Sequence, residues 1–304
     1  MHLRILITTL ILVTTTLVLL FFSQQDKESL YLKGNSILER EGATAAYDFF
    51  SEAVRQSGNP KALFGTAWSE FINGNLAQAE STCRYLLAES QEPLVRAHSH
   101  YLLGYLTADT NRTRDAFHHF SRAYSMYQDL DKDKNMFNAT LGLARVSIDN
   151  QDATNAETFL EQARIISLRC GTDLAFYHVL SKKLAVLHRD YPAALQHAKQ
   201  AYDLYELADN RPGMASALNN IAFFLLIMGQ DQEGLIQLER ATRLLDGISG
   251  ITETQYNNVC RALYNKCHDL PYLSLQKEVE DWLLEHPLND LSNFLDLVMA
   301  SNCP

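Results

Sequence analysis

The residues in this chain that could do chemistry are paired histidines, a short run of carboxylates and amides, and five cysteines. His98-x-His100 and His118-His119 offer imidazoles, common ligands for first-row metals. Helical neighbours one or two residues apart point roughly 100–200° away from each other, so a shared ion needs a partner from another helix. Asp131, Asp133 and Asn135 open like a calcium loop. Met136 stands where that loop needs glycine and Gly142 where it needs a glutamate, so calcium is not expected. Cys83, Cys170, Cys260, Cys267 and Cys303 form no CxxC pair. Cys260 and Cys267 would share a helix face about 10 Å apart, too far to bridge. No nucleophile elbow, phosphate loop, HExxH or dinucleotide fingerprint occurs. The sequence thus predicts no catalytic residue, no metal and no cofactor, and the protein is expected not to be an enzyme.

A net charge of −10 and a pI near 5.4 argue against nucleic acid as partner, because phosphates call for clustered Lys and Arg. A hydrophobic share of 47% with 20% charged residues indicates a globular bulk. Ile5 to Phe22 is an uncharged run of 18 residues. As a helix it is about 27 Å long, near the thickness of a hydrocarbon core. It exceeds the usual apolar region of a signal peptide, and Phe21 and Ser23 make a poor cleavage site. Residues 1–24 are therefore expected to be an uncleaved transmembrane signal anchor, with a cleaved signal as the alternative. Lys27, Lys33 and Arg40 after the segment, against Arg4 before it, lean towards a cytoplasmic bulk. Its place near the start favours export. The expectation is a single-pass protein of a bacterial inner membrane with its bulk in the periplasm.

The elements that would position any site follow one recurring pattern. From Leu103 and Gly104 the chain runs twelve residues to Ala116, then to Phe120 and Ala123. The alanine recurs as Ala46, Ala79, Ala116, Ala156, Ala194 and, replaced by glycine, Gly234, at separations of 33, 37, 40, 38 and 40 residues. Leu30, Gly34, Phe50 and Ala53 surround the first anchor. Leu63 and Ala67 precede the second, where Cys83 and Leu86 replace the aromatic and the alanine. Leu143, Ala144, Leu160 and Ala163 mark the fourth, and Leu218, Ala222, Leu238 and Ala241 the sixth. The fifth keeps Ala194 and Ala201, but its first helix fits only with residues lost, leaving its register open. Periods of this size indicate stacked helical units.

This Leu-Gly…Ala-x3-Phe…Ala pattern resembles the tetratricopeptide-repeat (TPR) family over residues 27–248. The resemblance implies an all-α fold, an α-solenoid of about six TPR-like helical hairpins whose small residues let paired helices approach. An unrelated helical bundle is the alternative. Units longer than the family's usual 34 residues predict longer helices or loops. Residues 250–304 read as three helices broken at Pro271 and Pro287, a terminal cap.

In proteins of this family, one stripe of each first helix faces a concave groove. The corresponding positions here are Tyr31 and Asn35, Phe64 and Trp68, Tyr101 and Tyr105, Arg145, and Asn219 and Phe223. Asn219 and Asn220 stand where similar proteins place peptide-clamping asparagines. Aromatics and Arg combine contact area with directed hydrogen bonds, and an asparagine can both donate to and accept from a peptide backbone. The alternative is that these aromatics pack between neighbouring hairpins. The resemblance thus implies a membrane-anchored scaffold that binds a partner protein or extended peptide. A regulatory module that binds a signalling peptide, and an accessory subunit of an envelope enzyme or secretion assembly, are the other readings.

Overall fold

A computed structural model describes residues 32–38 and 40–244. The apolar run from Ile5 to Phe22, Tyr31 and the expected cap at 250–304 lie outside the described residues. Among the described residues, no helix is long and apolar enough to cross a membrane. The elements are helices: α1, described over 32–38, then α2 (Ala43–Ser57), α3 (Pro60–Ile72), α4 (Leu76–Glu89), α5 (Pro93–Asp109), α6 (Thr113–Asp129), α7 (Asp133–Asp149), α8 (Ala153–Cys170), α9 (Ala175–Leu187), α10 (Tyr191–Leu207), α11 (Arg211–Ile227) and α12 (Asp231–Leu244). The chain divides into two compact units, Met1–Val146 and Ser147–Pro304, with the boundary inside α7. The first unit holds the hairpins α1–α2, α3–α4 and α5–α6 and most of α7. The second holds the end of α7, α8, and the hairpins α9–α10 and α11–α12.

The recurring alanines take equivalent places. Ala46, Ala79, Ala116, Ala156, Ala194 and Gly234 are each the fourth residue of α2, α4, α6, α8, α10 and α12. All five alanines are fully buried, and the residues four further on, from Phe50 to Leu238, are buried as well. Five residues before each of the last five anchors the backbone turns left-handed, at Gly74, Asn111, Gln151, Arg189 and Gly229, with φ between 58° and 81°. The next N–H then reaches back five residues. Asn75 donates to the Glu70 carbonyl, Arg112 to Thr107, Asp152 to Ser147, Asp190 to Ala185 and Gln230 to Leu225, each at 2.8–2.9 Å. One Schellman-type closure thus ends the first helix of every one of these hairpins. The long periods come from helices of 17 or 18 residues rather than from loops.

A left-handed residue with a side chain costs roughly 1–2 kcal/mol, partly offset by the chain entropy a glycine would lose. Arg189→Gly is therefore expected to stabilise the second unit by about 0.5–1 kcal/mol, read as a higher denaturant midpoint. A lower midpoint would show that the Arg189 side chain contributes more than its backbone costs.

The alanine-to-aromatic spacing builds a clasp. A Cβ added to Gly104 would lie 2.7 Å from the Phe120 ring, and one added to Gly142 2.5 Å from it. The ring of α6 is thus held between the first helix of its own hairpin and that of the next. Phe50 is held in the same way between Gly34 and Gly65. Even the missing methyl matters there, because the two backbones close on the ring from both sides.

The fifth hairpin corrects the sequence reading. Its turn at Arg189 has the same length as the turn at Asn111, so no residue is lost. What differs is the start of its first helix: α9 has 13 residues where α5 has 17. The register then puts Lys182, twelve residues before Ala194, where the other hairpins carry Gly34, Ala67, Gly104, Ala144 or Ala222. Ala198 occupies the place of Phe50 and Phe120, and Asn220 the place of Gly65 and Gly142. A Gly–Phe–Gly clasp has become Lys–Ala–Asn, the small alanine giving up the ring's space to two polar side chains.

In the first unit, Glu80 on α4 accepts from Arg112 Nη1 and Nη2 at 3.1 and 2.7 Å and from Arg84 at 2.7 Å. The Arg112 hydrogen bonds lead in holding its carboxyl down to about 2. A carboxylate depressed in the folded state contributes stability that is present above its unfolded value and lost as pH falls through the folded one. Both side chains are partly solvated, so the effect is about 1 kcal/mol. Arg112→Ala should accordingly flatten the loss of stability between about pH 5 and 2. An unchanged acid slope would assign that loss to other carboxylates.

Candidate functional site

In the second unit, residues from α9 and α11 line a cavity of about 330 Å³, with the end of α7 at its margin. Lys182 and Lys183 come from α9, and Asn219, Asn220, Phe223 and Phe224 from α11, with Asp149 also on the wall. Lys182 Nζ donates to Asn220 Oδ1 at 2.7 Å, and Asn220 Nδ2 donates to the Ser216 carbonyl at 2.7 Å. Lys182 makes no ion pair among the described residues. Burial, and to a lesser degree the charge of Lys183, pull its ammonium down to about 8. At neutral pH it is still charged, in a place that solvates charge poorly. Asn219 is 4% exposed, and its Oδ1 has no hydrogen-bond partner among the described residues. The cavity's lining therefore holds a cation with no ion pair among the described residues and, in Asn219, a buried amide oxygen without a donor, together with the Phe223–Phe224 pair, whose ring centroids are 5.2 Å apart. A carboxylate would give Lys182 its missing anion, and a donor N–H would reach Asn219 Oδ1 once that side chain turned towards the cavity.

A second cavity, of about 280 Å³, lies in the first unit among α1, α3, α5 and α7. Asn35, Phe64, Trp68 and Tyr101 line it, joined by His98 and Asn135. The Trp68 and Tyr101 rings stack at 6.3 Å and 10°, and Phe64 stacks on His98 at 5.2 Å. Tyr101 donates to the Tyr105 hydroxyl at 3.2 Å. Burial pushes both phenols above the usual range. His98 Nδ1 lies 2.7 Å from the Tyr127 hydroxyl, and burial holds this imidazole down to about 4. The wall is thus aromatic and uncharged at neutral pH, suited to an apolar or aromatic side chain.

The residues singled out from sequence fall into groups. Asn35, Phe64, Trp68 and Tyr101 meet at the first unit's cavity; Asn219, Asn220 and Phe223 meet at the second's. Tyr105 stands behind Tyr101 and carries the Arg145 guanidinium at 5.6 Å from its ring. Arg145 also pairs with Asp109 at 2.6 Å, so part of its charge is met within the protein. Phe64 and Phe223 are only 4% and 5% exposed and serve mainly as packing. Tyr31 lies outside the described residues. Sequence reasoning passed over Lys182 and weighed His98 and Asn135 only as metal ligands. Lys182 could have been found by holding the twelve-residue spacing through the fifth unit instead of breaking it.

Helical hairpins with a small residue facing an aromatic, closed by one repeated turn, define the class of fold: all-α, built from TPR-like repeats. No family model matches the chain, and no curated protein matches it. Among solved structures, a Rap protein complexed with competence and sporulation factor aligns with a TM-score of 0.59 at 13% identity, over 86% of this chain and 74% of that one. The Rap conjugation gene regulator of plasmid pLS20, in complex with the Phr* peptide, aligns at 0.56 and 14% identity, over 86% and 85%. BtubC (BKLC) from P. vanneervenii aligns at 0.52 and 17% identity, over 70% and 92%. At these identities the likeness is one of fold.

Proposed function

We propose that this protein is a non-enzymatic TPR-type scaffold that binds an extended peptide, or such a segment of a partner protein, in the concave walls of its hairpins. The run from Ile5 to Phe22 anchors it in a bacterial inner membrane, and the bulk works in the periplasm. The observation that carries the reading is the second unit's cavity, where charged Lys182 and Asn219 line the same space. The ligand meets Lys182 with a carboxylate and Asn219 with a backbone N–H. The first unit's aromatic cavity receives an apolar side chain.

A regulatory reading has one observation in its favour. Two Rap structures that share this fold are complexes, one with competence and sporulation factor and one with the Phr* peptide. A scaffold holds its partner; a regulator of this kind would change conformation on binding its peptide.

The test begins with selection of peptides from a displayed random library on the purified protein. Affinities are then measured by fluorescence anisotropy for the parent protein, Asn219→Ala and Trp68→Ala. Asn219→Ala is expected to weaken about 10-fold the peptides held in the second unit's cavity, and Trp68→Ala those held in the first unit's, since each removes a directed contact or an aromatic anchor. Unchanged affinity for both variants at unchanged stability would move recognition away from these walls.

A further inference from the structure

Two hairpins share a device that the binding function does not use. On α5, His100 stands four residues before Gly104; on α6, His119 stands three after Ala116. On α9 and α10, His178 and His197 hold the same two positions relative to Lys182 and Ala194. The other hairpins carry Leu30 with Phe49, Leu63 with Thr82, Thr140 with Phe159 and Leu218 with Gln237. Histidine therefore enters both positions together, in the third and fifth hairpins.

The geometry of the two pairs is the same. His100 Nδ1 and His119 Nδ1 are 3.0 Å apart with ring centroids at 5.3 Å. His178 Nδ1 and His197 Nδ1 are 3.1 Å apart with centroids at 5.4 Å. An imidazole nitrogen lies about 1.15 Å from its ring centre, so these centroid distances are near the largest such contacts allow. Each pair therefore meets head-on, nitrogen to nitrogen, and one Nδ1–H must donate to the other's lone pair.

We propose that each head-on histidine pair is a proton-counting latch that joins the two helices of its hairpin at neutral pH and releases them in acid. A neutral pair holds one bridging proton. The first added proton goes to Nε2 of the donor ring, making an imidazolium that still donates across the bridge. The second has no site but the bridging lone pair itself. It leaves two N–H groups and two positive charges facing each other across 3 Å, and the helices must part.

Burial opposes that second proton at both pairs. Around the first pair lie Arg96 on α5, Arg122 and His118 on α6 and Arg84 on α4, against Asp115 on α6 and Glu80 on α4. Glu80 is already engaged by Arg112 and Arg84. Around the second pair Asp173, ahead of α9, and Gln200, whose Oε1 stands 3.1 Å from His197 Nδ1 and can accept an N–H there, favour a proton, so burial and the partner ring alone oppose it. Burial first, then the partner's charge, holds His100 and His178 down to about 4. An imidazole held below its unfolded value near 6.5 keeps the closed form full above that value and loses it as pH falls towards the folded one. The second latch sits one helical turn from Lys182, so its release loosens the helix that carries the cavity's cation.

Hydrogen exchange of the full chain, corrected for the intrinsic pH dependence of exchange, tests the latch without any ligand. The α9–α10 hairpin decides, because His98 also titrates on α5. Between pH 7 and 4.5 the opening constant of α9 and α10 should rise roughly 10–100-fold. In His197→Gln, whose amide pairs with His178 at either pH, that rise should shrink to a fewfold. His178→Gln should do the same from the other side of the bridge. Parent protection that does not change with pH, or Gln variants that keep the full rise, would overturn the proposal.

Discussion

Phe120→Ala is expected to lower the unfolding free energy of the first unit by about 3–5 kcal/mol. The ring is fully buried and is gripped by Gly104 on one side and Gly142 on the other. Neither glycine can move in to fill the space, because each belongs to a helix pinned by its own neighbours, so the cavity stays open. Adding bulk should fail as well. Gly104→Val puts a branched side chain into a gap where even a Cβ lies 2.7 Å from the ring, at a cost of about 1–3 kcal/mol. Urea unfolding followed by Trp68 fluorescence, with Trp282→Phe as background, reads both. A loss below about 1 kcal/mol for Phe120→Ala would mean that the clasp relaxes, and that the repeat is not held at this contact.

The second large effect separates stability from function. Lys182→Met with Asn220→Leu refills the Lys–Ala–Asn position with apolar side chains of similar size. Removing a poorly solvated cation together with its amide partner is expected to stabilise the second unit by about 1–2 kcal/mol. Affinity for a carboxylate-bearing peptide should fall about 10–100-fold, the worth of one charge-assisted hydrogen bond. A stable protein that cannot bind is what is expected when a site is kept at the expense of packing. A double variant that is less stable and binds as before would make Lys182 and Asn220 structural.

What was legible in the sequence was whatever close packing dictates. Ala116 and Phe120 are four apart because one helix face must approach a neighbour and fill the space beside it. The same demand put Ala46, Ala156 and Ala194 at the fourth residue of their helices. Lys182 was illegible for the converse reason. A lysine at a close-packing position reads as a broken register until the turn at Arg189 is seen to match the others. The aromatic stripe was only partly legible, since stepping 100° per residue cannot separate a wall from the packing beside it. Trp68 and Tyr101 are half-buried in the wall of their cavity, whereas Phe64 and Phe223, though they also line cavities, are nearly buried. The histidine pairing could not be seen at all from local spacing. His100 and His119 are nineteen residues apart and face each other only once the hairpin closes.

The account stands on Lys182 and Asn219 meeting a peptide in one cavity, and photocrosslinking reads that contact most directly. A selected peptide carrying a photoreactive group beside its carboxylate is irradiated with the full-length protein, and the labelled segment is found by mass spectrometry. Label on residues 182–187 and 219–224, lost when the peptide carboxylate is converted to an amide, is the expected result. Label confined to other segments, or label on these that is indifferent to the amide, would contradict it.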